Sequence, residues 1–170
     1  MGAVDIALIV INCSDVASLN QGEALREMRD WADGPIVEGH RSFTSNDVRM
    51  WYLPEGVLNQ NYLDRRWFKA TGESVREAIF PSRHSAASGQ ASLTLHPIGI
   101  PHLPVGEFGP YGGIGGQAPP PNSRLAGWWR MLQHRWTADS ELSSFDLSLE
   151  VTHHGPYLDA PSLFIEVGST

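Results

Sequence analysis

The chain has 170 residues, of which 41% are hydrophobic, and this size and composition suit one globular domain with a buried core. Its formal net charge of −7 argues against broad binding to nucleic acid, including DNA, because phosphate contacts need lysine and arginine. A single cysteine, Cys13, excludes an intrachain disulfide and a thiolate metal cluster, and it favours a reducing, cytoplasmic location.

The first segment predicts a strand followed by a helix. Residues 5–12 (DIALIVIN) are rich in β-branched residues, yet the apolar run is too short to cross a bilayer and lacks a basic segment before it. We therefore expect neither a targeting signal nor a membrane partner. Behind this strand, Leu25, Met28 and Trp31 recur at helical spacing, with a candidate capping box from Ser18 to Gln21.

The middle of the chain predicts further strands at 47–53, 78–84 and 92–97, with short helical pieces over 59–78. Residues 98–121 are rich in glycine and proline, which cannot sustain a helix or a ladder, so they predict a long loop within the domain.

The last third predicts a helix and two strands. An apolar stripe at helical spacing indicates a core-facing helix that starts at Asn122 or Ser123; the stripe is Leu125, Trp128, Trp129, Leu132 and Trp136. Alternating apolar and polar residues predict strands at 145–152 and 163–167. Strands interleaved with helices predict an α/β domain.

Histidines close several predicted strands: His84, His96, and the adjacent pair His153 and His154. In open α/β sheets ligands bind beyond the carboxyl ends of the strands, so parallel neighbours would bring these imidazoles to one rim. Glu150 and Glu166 occupy polar positions on the last two strands, where a carboxylate serves as a metal ligand or orients an imidazole.

A structural role for each histidine is the alternative interpretation, because strand-end histidines are often simply hydrogen-bonded. His153 and His154 would point to opposite faces of a strand, so they serve one site only if the backbone turns there. The following Gly-Pro pair favours such a turn. Arg83 is either a turn residue or a ligand for a phosphate or carboxylate.

Three blocks of sequence together resemble the D-aminoacyl-tRNA deacylases of the archaeal and plant type: IALIVINCSDVASLNQGEALRE, SRHSAASGQASLTLHPIG and LEVTHHGPYLDAPSLFIEVGST. The resemblance implies a three-layer phosphorylase/hydrolase-like α/β domain with a central, largely buried mixed or parallel sheet. It also implies zinc as cofactor. The implied reaction is hydrolysis of the ester that joins a D-amino acid to the acceptor end of tRNA.

The resemblance also assigns roles to residues. It implies catalytic roles for His84, His96, Glu150, His153, His154 and Glu166, and zinc ligation by His96, His153, His154 and Glu166. Candidate substrate contacts are Arg83, Gly155, Gly168 and Ser169, with a glycine N–H of Gly155 or Gly168 holding the oxyanion.

The chain departs from the family pattern at two positions, Ile100 after the HP.G glycine and Tyr157 after HHGP. The family continues past GST, so we expect residues 1–170 to form a single deacylase-like domain that lacks the family's C-terminal segment. The strand at 163–167 would then be uncovered, which predicts exposed apolar surface and either self-association or compromised activity.

The sequence leaves mechanism and function open in two respects. The attacking water is activated either by zinc or by a histidine base. Rival functions are another metal-dependent hydrolase on the same scaffold and a catalytically silent relative that only binds tRNA or a protein. Arg65, Arg66 and Arg83 are candidate contacts for the acceptor end.

Overall fold

The computed structural model describes residues 4–168, which form a mixed sheet of eight strands with helices on both faces. The strands are β1 Asp5–Asn12, β2 Ala32–Asp33, β3 Ser42–Ser45, β4 Val48–Leu53, β5 Ser74–Arg83, β6 Ser92–Pro97, β7 Asp146–Leu149 and β8 Ser162–Gly168. The helices are α1 Val16–Glu27, α2 Leu63–Thr71 and α3 Leu125–Ala138, with 3-10 turns at Val57–Asn59 and Leu142–Ser144. The α/β prediction is confirmed.

The sheet has the order β2-β3-β4-β1-β5-β8-β6-β7. Its central strands β4, β1, β5 and β8 are parallel, whereas β2, β3 and β4 pair antiparallel at one side. At the other side β6 is antiparallel to β8 and parallel to β7. The strands β6 and β7 therefore run opposite to the central four.

Alternation along the strands divides the core between the two faces of the sheet. One face packs Leu8, Phe80 and Phe164 against Trp67 of α2. The opposite face packs Ile11, Tyr52 and Leu163 against half-buried residues of α1 and α3, including Leu25 and Trp128. These helices and the sheet make the three layers.

The expectation that the strand at 163–167 is left uncovered is wrong. Strand β8 lies between β5 and β6 with Leu163 and Phe164 buried on opposite faces, so it is not left uncovered. The reason is that β8 inserts into the sheet, where its neighbours and the α1 and α2 layers cover it. The apolar stripe of α3 faces the sheet as predicted, but no residue of that helix is fully buried.

The helix starts also differ from the sequence prediction. Asp15, not Ser18, caps α1: its Oδ1 accepts hydrogen bonds from the N–H groups of Ala17 and Ser18 at 2.9 and 3.3 Å. Asn122 lies two residues before Arg124, the N-cap of α3, and its Oδ1 accepts the Arg124 N–H at 2.8 Å. A short polar side chain preceding the helix satisfies free N–H groups in both cases.

Residues 98–121 contain no helix or strand, and the buried side chains of Ile98 and Ile100 anchor the segment in the core. Over residues 4–168, none of the helices has the length and apolar character that crossing a bilayer requires.

Candidate active site

Three imidazoles, those of His96, His153 and His154, converge at one point on the α2 face of the sheet. Their ring centroids lie 4.6 to 4.8 Å apart. One potential ligand atom from each ring lies within 4.8 Å of the other two. The structure thus brings together three of the four residues proposed as metal ligands.

These residues do not come together at the carboxyl ends of parallel strands, as the sequence predicted. Strand β5 is parallel to β8, whereas β6 is antiparallel to β8. The carboxyl ends of β5 and β6 therefore point in opposite directions along the strands. His96 instead lies opposite Phe164 of β8 and stacks on its ring at 5.2 Å, and Glu166 follows two residues later on the same face. The site is built on the face of the sheet.

His153 and His154 follow β7, in a segment that has left the regular strand. The alternation that would send adjacent side chains to opposite faces therefore does not apply, and both rings reach His96. His154 is buried, and His153 is the exposed member of the group. The pair reaches one site through irregular backbone, because residues 151–158 form neither a strand nor a turn.

Each of the three imidazoles has Nδ1 against a backbone carbonyl oxygen. The distances are 2.8 Å from His96 to Pro97 O, 2.8 Å from His153 to Val151 O and 2.6 Å from His154 to Gly155 O. A carbonyl oxygen only accepts, so each Nδ1 carries the proton and donates it. Each neutral ring then keeps a lone pair on Nε2, the arrangement typical of metal-ligating histidines.

The Nε2 atom of His96 is buried and has no hydrogen-bond partner among residues 4–168. Leaving such a nitrogen without a partner costs about 1–3 kcal/mol. Burial, reinforced by His96, lowers the pKa of His154 to about 4, so this ring is neutral near pH 7. Neutral imidazoles with free lone pairs are the donor set that fits a zinc ion.

Glu166 lies beside this group and joins it to His84. Its Oε2 accepts from His84 Nδ1 at 3.0 Å, and its Oε1 is 3.6 Å from His96 Nε2. Burial opposes its ionisation, but the hydrogen bond from His84 Nδ1, together with the nearby imidazoles, holds the pKa of Glu166 below its usual value. A charged Glu166 orients His84 in the way that carboxylates position catalytic imidazoles.

His84, immediately after β5, lies between two carboxylates rather than among the other imidazoles. Its Nε2 is 3.7 Å from Glu150 Oε1, on the side opposite Glu166. All three side chains line the same cavity. An imidazole oriented through Nδ1, with Nε2 towards a second polar group, is suited to proton transfer.

The cavity has a volume of about 650 Å³ and combines polar and apolar walls. Its apolar wall includes Val57, Leu58, Phe80 and Tyr111, and its polar rim includes Asn12, Ser14, Asp15, Ser82 and Arg83. The turn at residues 12–15 was not among the predicted site residues. Its position after the first buried strand was the available signal, because ligands collect at the carboxyl ends of such strands.

The arginine candidates fall into two groups. Arg65 pairs with Asp159 and Arg66 pairs with Glu38, so carboxylates already occupy both guanidinium groups. Arg83 is exposed, lines the cavity and forms no salt bridge within residues 4–168. It is the arginine of the three that can receive a phosphate or carboxylate of a ligand.

The glycine candidates have different surroundings. The Gly155 N–H donates to Tyr111 O at 3.0 Å, which removes it as a free oxyanion donor. A Cβ on Gly155 would lie 2.2 Å from Gly113 N and 2.5 Å from Leu58 O, so glycine is needed there for close backbone packing. Gly168 lies beside His84, and Ser169 falls outside the described residues.

Comparison with known proteins places this geometry in context. A family model described as D-aminoacyl-tRNA deacylase matches residues 71–170. The chain is 42% identical over 166 residues to a D-aminoacyl-tRNA deacylase of Arabidopsis thaliana, an alignment that covers 97% of this chain and 52% of the relative. It is 34% identical over 170 residues to a D-aminoacyl-tRNA deacylase of Methanococcoides burtonii, with 95% of this chain and 34% of the relative covered.

A solved structure supports the same fold. It is a crystal structure titled as a conserved protein of unknown function, with a TM-score of 0.79 and 26% sequence identity, and the match covers 99% of this chain and 56% of that one. The chain spans about half the length of the Arabidopsis relative and of this structure, and a third of the Methanococcoides relative.

Proposed function

Because the chain belongs to the D-aminoacyl-tRNA deacylase family, we propose that it takes part in hydrolysis of the ester between a D-amino acid and tRNA, releasing both. The observation that carries this proposal is the convergence of three Nδ1-protonated imidazoles whose Nε2 lone pairs remain available. The large, partly apolar cavity beside them has room for an aminoacyl group and the terminal nucleoside.

The cofactor we propose is zinc, held by His96, His153 and His154. When bound, zinc supplies a Lewis acid that polarises an ester carbonyl or brings the pKa of water to about 7. The buried His96 Nε2 without a partner supports this assignment. Glu166 lies outside the three-histidine group, so we propose it as the partner that orients His84 instead of a fourth ligand.

The chain's own proton-transfer group in this proposal is His84. Oriented by Glu166, it accepts a proton from the attacking water through Nε2 and later returns a proton to the leaving ribose hydroxyl. Arg83, which has no carboxylate partner in the described part of the chain, is the proposed contact for a phosphate of the acceptor end. A cytosolic location and self-association stay predictions.

Stereoselective deacylation tests the proposal. Zinc-loaded protein is incubated with D-alanyl-tRNA and L-alanyl-tRNA, and release of free tRNA is followed, with the spontaneous rate subtracted for each substrate. We expect the D-ester to be cleaved much faster. Equal rates for the two esters, or none above background, would refute the assignment.

The rival functions have their own outcomes. A catalytically silent relative would bind tRNA without accelerating release, and the three-histidine geometry is the observation against it. Another metal-dependent hydrolase would cleave simple carboxylic esters as fast as the tRNA ester. A tRNA-binding assay and a nitrophenyl-ester assay on the same preparation distinguish these cases.

A further inference from the structure

We infer that Glu150 is the residue that recognises the α-ammonium group of the substrate and so selects aminoacyl esters over uncharged esters. This inference rests on the proposed function and goes further, since it assigns a specificity role to a side chain that the sequence offered only as a ligand or an orienting group.

The three carboxylates on the cavity wall differ in what they already hold. Asp15 is saturated: Oδ1 caps α1, and Oδ2 accepts from the N–H of Arg83 at 2.8 Å and the hydroxyl of Ser82 at 3.3 Å. Glu166 is buried and accepts from His84. Within residues 4–168 these two carboxylates are committed to the protein.

Glu150 is different. Its nearest polar partner is His84 Nε2 at 3.7 Å, beyond hydrogen-bond distance, and its side chain is 31% exposed. It follows β7 directly, held by its own N–H, which donates to Leu95 O at 3.0 Å. The backbone is thus fixed to β6, while the carboxylate remains available to a ligand in the cavity.

The chemistry of an aminoacyl ester calls for such a group. Its ammonium is attached to the carbon next to the ester carbonyl, so a carbonyl bound near the three histidines brings a positive charge into the same cavity. A metal dication held by neutral imidazoles would repel that charge, and the repulsion is strong where water is partly excluded. A nearby carboxylate offsets the repulsion and forms a charge-assisted hydrogen bond with the ammonium.

The test compares two tRNA esters that differ at the α position, D-alanyl-tRNA with an ammonium and D-lactyl-tRNA with a hydroxyl. We expect E150Q to lower kcat/KM for D-alanyl-tRNA roughly 10- to 100-fold more than kcat/KM for D-lactyl-tRNA, which is the range for loss of a hydrogen bond to a charged group. E150D keeps the charge and should lose less than E150Q. E141Q, at an exposed glutamate after α3, is the control and should change neither rate.

Each other result overturns the inference. An equal loss on both esters would mean that Glu150 acts through His84 or the metal, and no loss on either would mean that it does not contact the substrate. Zinc content and the circular dichroism spectrum of each variant show whether the site is intact. If the unmodified protein cleaves neither ester, the proposed function itself fails and takes this inference with it.

Discussion

Replacing His96 by asparagine separates its proposed metal-binding nitrogen, Nε2, from the nitrogen that bonds the backbone, Nδ1. An asparagine amide nitrogen occupies nearly the position of Nδ1, so it can still donate to Pro97 O, whereas nothing replaces Nε2. Alanine removes both nitrogens and the stacking on Phe164. The pair H96N and H96A therefore tests whether Nε2 is a ligand.

The expected magnitudes follow from burial and ligand count. Zinc in closed structural sites binds with about 10–16 kcal/mol, or about 3 kcal/mol for each of four ligands, so losing one ligand should weaken binding by about 100-fold. H96A should also destabilise the metal-free protein by about 2–4 kcal/mol, because His96 is fully buried.

H96N should cost the metal-free protein less than H96A, because it keeps the hydrogen bond to Pro97 O that alanine loses. Zinc affinity is measured by competition with a chromogenic chelator, and stability by urea unfolding with chelator present. H134N, at an exposed position on α3, is the matched control. Zinc binding by H96N within a few-fold of the unmodified protein would refute the ligand assignment.

Two further predictions concern packing and ionisation. Gly155→Ala should destabilise the protein by about 3 kcal/mol in urea unfolding, because its Cβ would meet backbone atoms that cannot move aside. The control Gly127→Ala, in an open part of α3, should be neutral or stabilising. Equal stability of the two variants would contradict the packing argument. Partial burial raises the pKa of the Cys13 thiol, and the charge of Arg41 partly opposes this rise. Arg41→Ala should therefore raise the pKa further and slow alkylation by iodoacetamide at pH 8, because less of the thiol is ionised. An unchanged or faster alkylation rate would contradict the role of Arg41.

Several features of the fold were predictable because they depend on local pattern. β1, β4 and β6 lie where runs of apolar residues placed them, and the stripe on α3 faces the sheet, since hydrophobic periodicity reports which face of an element is covered. The helix caps were not identified correctly. Asp15 and Ser18 are both good capping residues, and the choice between them depends on where the chain leaves β1.

The chemistry of the site was also visible in the residue types, but its geometry was not. His96, His153 and His154 were proposed as ligands because imidazoles and carboxylates cluster near predicted strand ends, and the structure brings their rings together. Glu166, proposed with them, instead pairs with His84, which lies 82 residues away in the chain. Sequence patterns relate residues a few positions apart, so they do not predict a hydrogen bond between residues 82 positions apart.

The sequence by itself determined the α/β class, the membership of the deacylase family and the presence of a histidine-rich site. Tertiary structure decided the rest. The antiparallel direction of β6 moves the site from a strand end to the face of the sheet, and carbonyl contacts fix Nδ1 of three imidazoles. Ion pairs occupy Arg65 and Arg66, whereas Arg83 has no carboxylate partner among residues 4–168. Periodicity reports how each segment buries its own surface, whereas strand direction and side-chain partners depend on contacts between segments distant in the chain.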